Sequence, residues 1–102
     1  MTLYCIGDED TARGFRLAGI NAFVATTAAE ARVALGDAAS QPDCGIIIIT
    51  QRVAGLIRQQ IEMIRQEQER PLIVEIPGPE GPLPGRKSLR ELVQEAVGIS
   101  IG

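Results

Sequence analysis

Two kinds of apolar pattern alternate along this chain of 102 residues. One is the unbroken run: Leu3-Tyr4-Cys5-Ile6, Ala22-Phe23-Val24-Ala25, Cys44 to Thr50, and Leu72-Ile73-Val74-Glu75-Ile76. Short runs without polar alternation predict strands covered on both faces, as in a parallel sheet. Cys44-Gly45-Ile46-Ile47-Ile48-Ile49-Thr50 is the clearest of the four, rich in β-branched residues, and is expected at the centre of the sheet. The other pattern is helical. Val53, Leu56, Ile57, Ile61 and Ile64 recur at three- and four-residue spacing opposite Arg, Gln and Glu, which predicts one amphipathic helix over 51–68. Pro71 marks its end.

Boundary signals divide the first half of the chain. The acidic turn Gly7-Asp8-Glu9-Asp10 is suited to cap a helix over 11–18, which stops at Gly19, a favoured residue just past a helix end. Within that helix Phe15, Leu17 and Ala18 are expected in the core, with Arg16 pointing outward to a surface contact. Gly14 costs about 1 kcal/mol relative to alanine inside a helix, and close packing on the sheet is the expected reason for it. Thr27-Ala28-Ala29-Glu30 has capping-box spacing and opens an alanine-rich helix that fades between Gly36 and Ala39. Strand and helix alternate throughout, so the crossovers should be right-handed and the sheet parallel. The expected class is α/β: a four-stranded parallel sheet in the order 2-1-3-4, a truncated flavodoxin- or Rossmann-like arrangement with flanking helices.

The pattern breaks after Ile76. Pro77-Gly78-Pro79-Glu80-Gly81-Pro82-Leu83-Pro84-Gly85 can be neither helix nor central strand. The expected organisation is therefore a sheet domain over 1–76, a Pro/Gly-rich linker over 77–87 and a helical segment over 88–102. Ser88-Leu89-Arg90-Glu91 is a second capping box, and Leu89, Leu92, Val93, Ala96 and Val97 form an apolar stripe on a helix of about ten residues. So short a helix is marginal alone in water, so its stripe has to be buried, either on the sheet or on another chain. The tether permits the second.

Composition narrows the function. The apolar share is 45%, yet Tyr4, Phe15 and Phe23 are the only aromatic residues, so Ile, Leu, Val and Ala must build the core. A domain of this size buries about 60–65% of its unfolded surface and folds with a modest margin. The net charge is −3 and the basic residues are interleaved with acidic ones, which excludes the basic stripe of a nucleic-acid module. The longest apolar stretch, Gly45 to Ile49, is far too short to span a bilayer, and no signal peptide precedes the first strand. A cytoplasmic protein without direct membrane insertion is expected. Cys5 and Cys44 lie in apolar runs, outside any C-x-x-C spacing, and read as buried free thiols in a reducing compartment.

No enzyme constellation survives. The chain has no histidine, which rules out Ser-His-Asp, Cys-His and His-containing zinc sites. Asp8-Glu9-Asp10 sits at a strand end, where response-regulator receivers keep a Mg²⁺-binding acidic cluster. The third strand, however, ends in Thr50 instead of a phosphoryl-accepting Asp, and the one lysine, Lys87, falls in the linker. Gly81 to Ser88 resembles a P-loop in outline, but Pro82 and Pro84 lack the N–H groups that would cradle a phosphate. Gly7, Gly14 and Gly19 lack the spacing of a dinucleotide loop. No catalytic residue, cofactor or metal is expected. A binding or structural protein is favoured, with a receiver-like adaptor lacking phosphoryl-transfer activity as the alternative.

Two segments add a resemblance. The "IGD" strand end followed by Gly14-Phe15-Arg16-Leu17-Ala18-Gly19, "GFRLAG", resembles the signature of the F-subunit family of the V-type and A-type ATPases. The tail Leu89-Arg90-Glu91-Leu92-Val93, with Ala96 and Gly98 beyond it, is similar to that family's C-terminal helix, and the "VEIP" strand end between them also fits. The linker is more proline-rich than the family's. The resemblance implies a non-catalytic rotor component of the central stalk, bound to the coiled-coil D subunit, peripheral to the membrane and supporting the coupling of ATP hydrolysis or synthesis to ion transport. Leu89, Leu92, Val93 and Val97, with Arg16, are the expected partner contacts.

Overall fold

A computed structural model describes residues 1–81. The order of elements is β1 (Thr2–Gly7), α1 (Glu9–Leu17), β2 (Asn21–Val24), α2 (Ala28–Ala39), β3 (Cys44–Thr50), α3 (Gln51–Leu56), α4 (Arg58–Glu67) and β4 (Leu72–Ile76). The four strands form one sheet in the order β2-β1-β3-β4, and every neighbouring pair is parallel. The expected class, strand order and central position of the isoleucine run are those observed.

Register sorts the side chains between two faces. Ile6 lies beside Phe23 on β2 and Ile49 on β3, and Ile47 lies beside Ile73 on β4. Because side chains alternate along a strand, these residues share one face. There they join Ala31, Leu35 and Ala38 of α2, Val53 and Ala54 of α3, and Ile57 and Ile61 in the main core. On the other face Cys5 and Ala22 close a smaller cluster with Ala12 and Phe15 of α1 and with Ile20. Thus α2, α3 and α4 cover the first face, and α1 covers the second over β1 and β2.

The caps explain where the helices begin. The Asp8 carboxylate accepts from the Thr11 N–H at 3.0 Å and the Thr11 hydroxyl at 2.6 Å. That makes Asp8 the cap and places Glu9 and Asp10 in the first turn, so α1 starts two residues before the expected Thr11. Gly19 has φ +86°, the left-handed conformation that glycine adopts without a Cβ penalty. Thr27 caps α2 by accepting from the Glu30 N–H at 3.2 Å. The Glu30 carboxylate reaches one residue further back than capping-box spacing implies, accepting from the N–H and hydroxyl of Thr26 at 2.8 and 2.9 Å. These bonds hold its carboxyl below the usual range.

Three expectations are corrected. The helix expected over 51–68 is two helices, interrupted at Ile57, where φ is −133° and ψ 36°. Gly55, a poor helix former, stands just before the break, and the extended φ suits β-branched Ile57, whose side chain is buried. Leu56, expected on the apolar stripe, is instead turned to the surface. Second, Gly14 does not pack on the sheet: a Cβ placed there meets nothing within 4 Å. Third, Leu17 and Ala18 are exposed, and only Phe15 of the expected trio faces the sheet. The reason is helical geometry. Ala12 and Phe15 define the buried stripe, and Leu17, two positions on, lies about 200° around the axis.

Candidate functional site

In open parallel sheets ligands bind where strand order reverses, here between the C-terminal ends of β1 and β3. In this chain that position is filled. A Cβ on Gly7 would lie 2.8 Å from Thr50 Cγ2, so the two strand ends approach more closely than any other residue type would allow. Thr50 is buried, and its hydroxyl accepts from the Val53 N–H at 3.4 Å as the cap of α3. Of the acidic turn, Asp8 is committed to Thr11. Partial burial pushes its carboxyl up, but the hydrogen bonds from Thr11 and from the backbone of Asp8 and Asp10 outweigh this and leave it below the usual range. Glu9 and Asp10 make exposed contacts with Arg13 at 3.5 and 4.0 Å. Among the described residues no group of three His, Cys, Asp or Glu side chains is placed to hold a metal ion.

Both cysteines are free and buried. Burial is the main cause that raises the Cys5 thiol to about 11, with the Asp8 charge adding to it, and it raises Cys44 as well. A buried, neutral thiol is a poor nucleophile. An aromatic disulfide reagent at neutral pH is expected to leave both thiols untouched until denaturant is added, and then to titrate two per chain. Rapid reaction of either in the folded protein would restore a thiol-based activity. Because folding favours the neutral Cys5 thiol, its contribution to stability is full below pH 9 and is lost as pH rises through about 11.

Two apolar areas stand out on the described surface. Leu17 is 84% exposed, on the same helix as the open Gly14 and next to exposed Ala18. Arg16, between them, is exposed, but its guanidinium is engaged: Nε and Nη2 donate to the Ala22 carbonyl oxygen at 3.2 and 2.8 Å. A second apolar area lies on the sheet. Ile46 and Ile48 of β3 and Val74 and Ile76 of β4 share the face that α1 covers only over β1 and β2, and they are half-buried, while Leu72 beside Ile46 is 58% exposed. Leu89, Leu92, Val93 and Val97 lie outside the described residues.

An ion cluster fixes β4 against α4. Arg58 forms two hydrogen bonds with Glu75, at 2.5 and 2.7 Å, which raises the Arg58 pKa. Arg65 stands 3.4 Å from the same carboxylate and also donates to the Ile73 carbonyl at 2.8 Å. Sequence reading missed this cluster, although a single acid inside the run Leu72-Ile73-Val74-Glu75-Ile76 was a signal that a cation must meet it.

Comparison with known proteins decides which family this geometry belongs to. The ATP synthase (F/14-kDa) subunit family matches residues 3–93. The chain belongs to that family, the F subunits of the A/V-type ATP synthases. The F subunit of the A-type ATP synthase of Pyrococcus abyssi is 39% identical over 106 aligned positions, covering 99% of this chain and 98% of the relative. That of Thermococcus sibiricus is 37% identical with the same coverage, and that of Methanocaldococcus jannaschii 34%, covering 99% of each. The crystal structure of the V-type ATP synthase F subunit from Archaeoglobus fulgidus superposes with a TM-score of 0.61 at 29% identity, covering 74% of this chain and 95% of that one. Within this member of the family the "GFRLAG" run divides its work. Phe15 anchors α1, Gly19 turns the chain, Arg16 ties α1 to β2, and Gly14, Leu17 and Ala18 face outward. Among the described residues no helix is long and apolar enough to cross a membrane.

Proposed function

We propose that this chain is a non-catalytic rotor component of the central stalk, one that binds the coiled-coil D subunit and so supports coupling between ATP turnover and ion transport. The observation that carries the reading is the apolar half-face over β3 and β4. Ile46, Ile48, Val74 and Ile76 are half-buried and Leu72 is exposed, while the described helices pack elsewhere. Apolar area of this kind on a small domain marks an interaction surface.

In this reading the chain is organised as a sheet domain over 1–76, a linker over 77–87 and a helical segment over 88–102. The turn that follows β4 is held near α3: Gly81 N–H bonds the Gly78 carbonyl at 3.0 Å, and Glu80 stands 3.7 Å from Arg52. Leu89, Leu92, Val93 and Val97 then supply a stripe that contacts the D subunit, with Arg16 and its exposed neighbours on α1 as a second contact. The chain has no catalytic role of its own, and it is held at the cytoplasmic side of the membrane through the assembly.

Co-purification with the D subunit of the same host, with and without truncation after Pro84, tests this. The expected result is a stable one-to-one complex that the truncation weakens. A complex indifferent to truncation would move the contact from the tail to the sheet domain. Two folded chains that form no complex would overturn the rotor assignment.

A further inference from the structure

We draw no further inference here: the strongest candidate, the apolar face of β3 and β4 around the exposed Leu72 that α1 leaves open, belongs to the surface already described, and nothing in the structure shows what covers it.

Discussion

Replacing Glu75 by alanine is expected to lower the melting temperature of the chain by about 10 °C, from a loss of about 2 kcal/mol. The carboxylate side chain is 12% exposed and receives both terminal nitrogens of Arg58, with Arg65 close behind. Removing it leaves Glu62, 3.8 Å from Arg58 and 3.1 Å from Arg65, as the carboxylate that still faces both guanidinium groups, and it is itself about half exposed, so the loss is only partly offset. Breaking a fully buried pair costs about 3–5 kcal/mol, because the surviving charge has no partner. Arg58 and Arg65 are each about a third exposed, at 33% and 36%, so water recovers part of that loss. Glu75→Gln keeps the shape and one acceptor and should lose roughly half as much. Thermal melts of both variants at neutral pH provide the measurement. An unchanged midpoint for Glu75→Ala would mean that the cluster contributes no more than an exposed ion pair. The interaction also has a positional role: it fixes β4 against α4.

The sheet was legible in the sequence because its strands present apolar residues to both faces. Leu3 to Ile6, Cys44 to Thr50 and Leu72 to Ile76 are unbroken runs, and each is a strand close to the expected limits. The start of α2 was legible from its cap, Thr27, whereas α1 begins at Glu9, two residues before the expected Thr11, because Asp8 is its cap. The break at Ile57 was not, because Val53, Ile57, Ile61 and Ile64 keep helical spacing on either side of it, and only Gly55 hints at an interruption. Spacing also failed on α1. A helix of nine residues has room for one narrow buried stripe, and Ala12 and Phe15 fill it, so Leu17 is left outside. The Arg16 contact with Ala22 was out of reach of any local pattern, since it depends on where α1 ends relative to a strand that pairs elsewhere. Glycine gave the most instructive miss. Gly14 looked like a packing residue and has open space around it, whereas Gly7, which looked like the start of a turn, is the position where two strands meet.

That meeting gives the second expectation. Gly7→Ala should destabilise the chain by about 2 kcal/mol, well beyond the few tenths of a typical surface change. The new methyl would lie 2.8 Å from Thr50 Cγ2 and 3.4 Å from two carbons of Thr11. Thr50 cannot simply rotate away. It is β-branched, buried on the central strand, and its hydroxyl caps α3 by accepting from Val53 N–H, so relief of the clash would cost the cap. The strands cannot separate either, since Ile6 and Ile49 are paired one residue earlier in the core. The remedy is specific. Thr50→Ser removes Cγ2 and keeps the hydroxyl, so Gly7→Ala combined with Thr50→Ser should recover most of the loss, even though Thr50→Ser alone is mildly destabilising. Denaturant unfolding of the four proteins in a double-mutant cycle measures this coupling, which should be favourable by at least about 1 kcal/mol. Additive effects would show that Gly7 is required for the conformation of the turn into α1, not for the approach of β1 to β3. A favourable coupling would establish that the switch point of this sheet, where related architectures leave room for a ligand, is closed here by side-chain packing.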